Sequence, residues 1–530
     1  MRIVIAEPLA QAGIELLQSQ PGWDVVVSNP QEYANYLADA DALIVRSAVK
    51  VTKEILARAP KLRVIGRAGV GVDNVDFAAA TSAGVLVMNT PGGNAVSVAE
   101  HTLALMLALA RSIPQATATT KSGKWEKKKF IGNELRGKTL GVIGLGSIGR
   151  EVVKRARAFE MQISATDPYV SPQVAEDAGV ELVDLDQLLT SSDYISLHLA
   201  LTTETKRILS RQAFQKMKTG VRIVNCARGE LIDPQALQEA LESGKVAGAA
   251  LDVFESEPPP QGSRLLAFDS VIATPHIAGS TEEAQEIVGV RIAEQLLEYL
   301  RSGVAINAVN MPALSPEQYR ILGPYIALAE NLGAFAAHIA VGNPAAVRLV
   351  YFGKISENNT HLIRNAGLAG VLSRSLAQKA NLINAMQIAS QRGLNVAEVH
   401  EKRSGHTDSI RLELETDVGV TSVEGAVVLG KARLLQVDGI YCEAPLSGNL
   451  IFMKNQDVPG VIGHIGTVLG NNQINIANFS LGRRDVPLKP GEPLEAVAVV
   501  EVDQPLSEDV LAQLLQNPAV KLARAVTLKP

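Results

Sequence analysis

Residues 144–149, Gly-Leu-Gly-Ser-Ile-Gly, constrain the fold more than any other stretch of the chain. They follow an apolar β-like run at 138–143 and open a helical run, so they read as the turn of a strand–turn–helix unit. Spaced glycines alone are common; the flanking elements make these informative. In that setting Gly144 permits the tight turn, Gly146 keeps side chains off the path of a pyrophosphate, and Gly149 lets helix and sheet approach. The amides of Ser147 and Ile148, at the helix start, can bind the negative pyrophosphate. Asp167 lies 23 residues beyond Gly144, directly after a short run at 163–166. A carboxylate there accepts bonds from ribose hydroxyls and repels a 2′-phosphate, which predicts NAD rather than NADP. The loop at 66–71 is also glycine-rich but lacks this spacing. Its small residues predict backbone amides close to a ligand, not a second dinucleotide site.

Around the motif, short apolar runs alternate with helical stretches, the pattern of parallel sheets with crossovers. Runs at 2–5, 42–46, 62–66 and 85–88 predict one doubly wound lobe. Runs at 138–143, 163–165, 194–197, 221–225, 248–251 and 271–273 predict a second, preceded by a long apolar helix near 98–110. Residues 311–448 hold helical stretches and one strand-like run at 347–353. Residues 449–530 read as βαββαβ, a ferredoxin-like module, with a turn at 489–493. The fold class expected is α/β: two doubly wound parallel-sheet lobes, an α/β intervening domain and a C-terminal ferredoxin-like domain.

The charge balance excludes several function classes. Fifty basic against 55 acidic residues give a net charge of −5, which offers no general attraction for nucleic acid or a membrane surface. The helix near 98–110 is interrupted by Glu100 and His101, too short to span a bilayer, and reads as a core helix. The chain opens on a strand with Glu7 close behind, without a secretory pattern. Two cysteines, Cys226 and Cys442, make no disulfide framework, so we expect a cytoplasmic, reducing location. None of the eight histidines joins cysteines or acids at zinc spacing, so no metal is expected. His198 follows a strand and faces either the crevice or the interior. His101, His338 and His361 read as packing or capping residues, and His400 and His406 lie in a polar region.

Arg228, Glu257 and His276 each follow a predicted strand of the second lobe, where ligands of such sheets bind. An arginine can clamp a carboxylate with two parallel bonds. A histidine exchanges a hydroxyl proton near neutral pH, and a nearby glutamate orients it. Taken singly, the three also fit a surface ion pair, a solvated loop charge and a hydrogen-bonded core histidine.

On residues 144–149, 225–233, 252–258 and 275–280, the first 310 residues resemble the D-isomer-specific 2-hydroxyacid dehydrogenase family. Val45-Arg46-Ser47-Ala48, residues 66–76 and Trp125-Glu126-Lys127-Lys128-Lys129-Phe130 resemble its long branch, which takes D-3-phosphoglycerate and carries an intervening domain and an ACT regulatory domain. The resemblance implies a substrate lobe of 1–97 plus 285–310, an NAD lobe of 98–284, an intervening domain at 311–448 and an ACT domain at 449–530. It implies Arg228, Glu257 and His276 as catalytic residues, with Arg228 and His276 also beside the cofactor. Asp252 and Gly279 fall on the nicotinamide contacts, and Cys226 and Ala227 lie on the cofactor side through their backbone. Arg46 and Arg67 fall where cations meet the phosphate, and the backbone from Gly69 and Val70 to Val72 offers donors to the substrate carboxylate. Asn94 either lines the cleft or caps the helix that follows, for which Ser97 is the better-placed cap. Asp457 and Asn475 fall at a possible L-serine effector site, although a helix cap and a satisfied strand edge explain them equally. A homo-oligomer follows from ACT pairing, and a tetramer from the family. A glyoxylate or hydroxypyruvate reductase would use the same catalytic trio without Arg46, Arg67 or the C-terminal extension. A cofactor-sensing corepressor would present a peptide-binding surface and turn over weakly.

Overall fold

Runs of aliphatic and β-branched residues buried on both faces form the central strands of two parallel sheets. The computed structural model describes residues 1–374, 380–402, 408–487 and 493–529. The first sheet is ordered Asp24–Val27, Arg2–Ile5, Ala42–Val45, Val64–Arg67, Leu86–Met88. The second is ordered Val271–Ala273, Val246–Leu251, Val221–Asn225, Tyr194–Leu197, Thr139–Ile143, Gln162–Thr166, Glu181–Leu182. Every neighbouring pair in both is parallel. The edge strands Asp24–Val27 and Glu181–Leu182 are short and partly exposed. Strand order reverses between Arg2–Ile5 and Ala42–Val45, and again between Thr139–Ile143 and Tyr194–Leu197. Crevices open at such reversals, outside the carboxyl ends of the strands.

Two helices join the lobes. Ala95–Arg111 begins with Asn94 at its N-cap position, and the Val98 amide donates to the Asn94 carbonyl at 3.1 Å. Ser97 therefore lies inside the first turn and is not the cap; its hydroxyl meets Thr281 Oγ1 at 2.7 Å. Glu282–Ser302 is capped by Thr281, whose hydroxyl accepts from the Ala284 amide, and by Gly303. Its residues Ile292, Leu296 and Leu300 share a core with Ile3, Ile44 and Leu86, so this helix returns to the first sheet. The expected divisions at 97/98 and 284/285 fall within these helices, not in loops. No single helix among the described residues is long and apolar enough to cross a membrane.

Helix Pro316–Ile339, opened by a Ser315–Gln318 capping box, packs on a mixed sheet. That sheet is ordered Asn395–Glu401, Pro344–Phe352, Ser409–Thr416, Val420–Val428, Lys431–Val437, Ile440–Pro445. The sequence reading recognised only the second of these. The others are half-buried and alternate apolar with charged residues, as in Arg411-Leu412-Glu413-Leu414, and so look polar by composition. The last sheet is antiparallel, ordered Ile476–Arg483, Glu495–Val502, Gly448–Gln456, Val520–Leu528, with helices Val461–Asn471 and Glu508–Leu514. This is the ferredoxin-like arrangement expected. Residues 489–492 of the expected turn, and His406, lie outside the described residues.

The two C-terminal modules share one core, which their separate sequence patterns did not suggest. Phe452, Val497, Val499 and Val526 join Leu332 and Phe335 in a single cluster. The Phe335 and Phe452 rings meet edge to face, with centroids 5.7 Å apart and planes at 82°. Phe452→Ala is expected to cost about 3–5 kcal/mol. It should loosen both modules together when unfolding is followed by hydrogen exchange. Loss of protection confined to 449–529 would show separate cores.

Candidate active site

The glycine turn stands at the second reversal point. Gly144 adopts φ 98°, and a Cβ there would lie 2.6 Å from the His198 carbonyl oxygen. A Cβ on Gly149 would overlap the Gly144 carbonyl, whereas nothing lies within 4 Å of one on Gly146. The space before helix Ser147–Ala158 is therefore open. Asp167, just past its strand, accepts from the Leu145 amide at 2.8 Å and the Tyr169 amide at 2.9 Å. It braces the glycine turn and stands at the crevice rim. An open cradle, a helix N-terminus and a rim carboxylate fit a dinucleotide. His198 Nε2 meets Ser196 Oγ at 2.8 Å, and its Nδ1 is buried without a partner among the described residues. Burial brings its pKa down to about 4, so the ring is neutral.

Arg228, Glu257 and His276 follow three adjacent strands. His276 Nδ1 lies 2.8 Å from Glu257 Oε2, and Glu257 Oε1 accepts from the Phe254 amide at 3.1 Å. His276 Nε2 has no hydrogen-bond partner among the described residues. His276 also has φ 54°, a left-handed conformation that costs a non-glycine residue about 1–3 kcal/mol. The conformation is held from below, because the His276 amide donates to the Asp252 carbonyl at 2.8 Å. The fully buried Asp252 carboxylate accepts from Thr274 Oγ1 at 2.6 Å and from the Ile277 and Ala278 amides at 2.9 Å each. Burial pushes this carboxyl up, but bonds from His101, Thr274, Ile277 and Ala278 outweigh it and hold the pKa below the usual range. Asp252 is thus a brace beneath the loop that carries His276.

His101 belongs to the same network and is not a packing residue. Its Nε2 lies 3.2 Å from Thr274 Oγ1 and 3.5 Å from Asp252 Oδ1. Its helix pattern is apolar, and only the fold brings a carboxylate beside it. Asn225 staples the neighbouring turn, donating to the Arg228 carbonyl at 2.8 Å and accepting from the Ala227 amide at 3.0 Å. Burial pushes the Cys226 thiol up to about 12, despite a bond with the Thr102 hydroxyl, so its sulfur is inert.

Arg46 and Arg67 gather at the first reversal point, with a residue the sequence reading passed over. Glu7 is 5% exposed and accepts from the amides of Arg46 at 2.7 Å and of Ala48 and Val49 at 3.0 Å. Its one sequence signal is an acid directly after a buried strand. The Arg46 guanidinium donates to the Pro8 carbonyl at 3.2 Å. Arg67 Nε is buried without a partner among the described residues. Burial and then the neighbouring Arg228 bring the Arg67 guanidinium down to about 10. A Cβ on Gly69 would overlap the Arg67 guanidinium, and one on Gly71 that of Arg228. These glycines make room for side chains. The Gly69 amide is spent on the Arg67 carbonyl at 2.9 Å, and the Val70 carbonyl is held by Asn89 Nδ2 at 2.6 Å.

Asn94 makes no capping bond, which removes that reading. Its Oδ1 is buried and unpartnered among the described residues, and its amide nitrogen lies 2.7 Å from where a Gly279 Cβ would stand. In the last domain the helix is capped at Gly460, so Asp457 is not its cap. Asp457 Oδ2 lies 3.3 Å from Arg483, and Asn475 Nδ2 donates to Asp503 at 2.8 Å. The two residues are not in contact among the described bonds. His338 Nδ1 lies 2.7 Å from the Ala334 carbonyl of its own helix, and His400 Nδ1 2.9 Å from the Ser356 carbonyl.

Residues 103–278 match the NAD binding domain of the D-isomer specific 2-hydroxyacid dehydrogenases. The solved D-lactate dehydrogenase of Aquifex aeolicus, complexed with NAD and lactic acid, is similar at TM-score 0.52 and 29% identity, covering 59% of this chain and 100% of that one. Fold and site together define an NAD-binding dehydrogenase of the D-isomer-specific 2-hydroxyacid class. Residues 321–438 match the D-3-phosphoglycerate dehydrogenase intervening domain, and 449–519 the ACT domain. The D-3-phosphoglycerate dehydrogenase of Methanocaldococcus jannaschii is 44% identical over 530 residues, and that of Archaeoglobus fulgidus 42% over 532, each match covering 100% of both chains. The chain belongs to the D-3-phosphoglycerate dehydrogenase family.

Asp252→Asn turns an amide NH₂ toward at least one donor, which should cost about 1–3 kcal/mol. Hydrogen exchange at the Ile277 and Ala278 amides should quicken. In the wild type, the stabilisation from Asp252 is present above the ordinary carboxyl range and is lost as pH falls through the lowered folded-state pKa. An acid titration that releases these amides while the ordinary carboxylates are still ionised would contradict this.

Proposed function

We propose that the chain oxidises D-3-phosphoglycerate at C2 to 3-phosphonooxypyruvate with NAD as acceptor, the first step of phosphorylated L-serine biosynthesis. The observation that carries this is Arg67 beside Arg228, brought from separate lobes close enough for the Arg228 charge to disfavour that of Arg67. Two adjoining cations suit a substrate with both a carboxylate and a phosphate. Arg228 holds the C1 carboxylate and polarises the C2 oxygen. Arg67 and Arg46 meet the phosphate, and Asn94 lines the cleft.

Neutral His276 takes the C2 hydroxyl proton at Nε2. Glu257 fixes its tautomer through Nδ1 and steadies the imidazolium that forms. Bound NAD supplies the acceptor for the hydride lost from C2 as the carbonyl forms. In reverse, His276 returns the proton to that oxygen. Gly144, Gly146, Ser147, Ile148 and Gly149 cradle the pyrophosphate, and Asp167 binds the ribose. Cys226 and Ala227 border the cofactor through the turn that Asn225 staples, and Gly279 borders the nicotinamide.

The domain division in this reading is 1–97 with 285–310, 98–284, 311–448 and 449–530. Serine as an effector at Asp457 and Asn475, and a homotetramer, extend the same reading. Two buried free cysteines support a reducing, cytoplasmic location.

The test is NADH formation with D-3-phosphoglycerate, D-glycerate and D-lactate. His276→Ala should lower turnover about 10²–10⁴-fold on every substrate. Arg67→Ala should chiefly damage the phosphorylated one. Equal loss on all three substrates with Arg67→Ala would remove the phosphate assignment.

A further inference from the structure

We infer that Asp73 is a positioning residue that sets which edge of Arg228 meets the substrate carboxylate; the inference rests on Arg228 being the carboxylate clamp. Asp73 closes the glycine loop of the first lobe, and Arg228 belongs to the second. Arg228 Nε donates to Asp73 Oδ2 at 2.9 Å, and Arg228 Nη2 lies 2.7 Å from the same oxygen. Arg228 Nη1 donates to the Ala227 carbonyl at 2.6 Å.

A guanidinium carries five N–H groups in a rigid planar fork. The Nε hydrogen and the Nη2 hydrogen beside it point along one side edge; Asp73 Oδ2 accepts the first and lies in ion-pair contact with Nη2 on that same edge. The Nη1 hydrogen that turns back toward the chain goes to Ala227. What remains is one hydrogen on Nη1 and one on Nη2, parallel along the terminal edge at the spacing of a carboxylate.

Without Asp73 the side edge is an equally good fork, and the neighbouring Arg67 charge repels the group from its place. Gly71 leaves the volume in which the pair forms, since a Cβ there would overlap Arg228 and lie 3.0 Å from Asp73 Oδ2. The Asp73 side chain is 58% exposed and that of Arg228 27%, so water screens the pair and its role is orientation, not stability.

The experiment uses the full chain and measures kcat/KM for D-3-phosphoglycerate, NADH affinity by fluorescence, and Tm. Asp73→Ala should lower kcat/KM about 10- to 100-fold, with NADH affinity and Tm unchanged. Asp73→Asn, whose amide oxygen can still accept the Nε bond, should recover most of that loss. In an Arg228→Lys background, which has no fork to orient, Asp73→Ala should have no further effect. Wild-type kcat/KM in Asp73→Ala overturns the inference. So does the same fold loss in both backgrounds, or a loss matched by falling Tm and NADH affinity. If Arg228→Lys itself keeps full kcat/KM, the clamp assignment fails instead.

Discussion

Each crevice rests on a carboxylate buried beneath its strand ends. Glu7 in the first lobe and Asp252 in the second are 5% and 0% exposed. An unpaired charge at such burial costs several kcal/mol, so each position holds only if donors converge on it. For Glu7 the donors are the amides of Arg46, Ala48 and Val49. For Asp252 they are the Thr274 hydroxyl and the amides of Ile277 and Ala278. The loops that supply these donors carry Arg46 on one side of the cleft and His276 on the other. The requirement to satisfy a buried charge thereby fixes functional loops that have little apolar packing of their own.

The left-handed backbone of His276 follows from this arrangement. With Ile277 and Ala278 aimed at the Asp252 side chain and the His276 amide aimed at the Asp252 carbonyl, the chain has to reverse within one residue. The reversal turns the imidazole out toward Glu257, which takes Nδ1 and leaves Nε2 open. The strain is local, and four hydrogen bonds to one aspartate residue offset it. The same economy of space governs the arginines. Gly69 and Gly71 provide volume for two guanidiniums that repel each other, a strained arrangement of the kind found where a binding site is pre-organised.

Legibility in the sequence followed burial. Strands buried on both faces, such as Ala42–Val45, are continuous apolar runs and were readable. Ser409–Thr416 and its neighbours interleave charges with core residues, so the sheet of the intervening domain was mostly hidden. The glycine turn, Asp167 and the trio at 228, 257 and 276 were legible because their chemistry sits at strand ends. Glu7, His101, Asn225 and Asp73 were not. Glu7, His101 and Asp73 act through partners distant in sequence, whereas Asn225 binds the turn just after it; neither spacing nor composition records a hydrogen bond across 155 positions such as that between Asp73 and Arg228.

Distance along the chain also separates the ACT domain from the cleft, and the contacts between them are unequal. The ACT sheet and the intervening helix share an apolar core closed by Phe335 and Phe452, so they move as one body. That body meets the first lobe through Asn381, which donates to the Gly84 carbonyl at 2.7 Å, and Gln387, which donates to Ser82 at 2.9 Å. Ile383 adds an apolar anchor in the core of that lobe. The first lobe in turn reaches the second through two unbroken helices, tied where Ser97 meets Thr281. A helix transmits rotation with little internal change, so freedom between the lobes concentrates at the helix starts. Asn94 is uncapped at one start, while Thr281 is capped at the other. The chain's stiff regions are thus its cores and crossover helices. The contact at residues 82–84 is polar around the apolar anchor Ile383, and the helix start without a side-chain cap, at Asn94, adjoins the cleft itself.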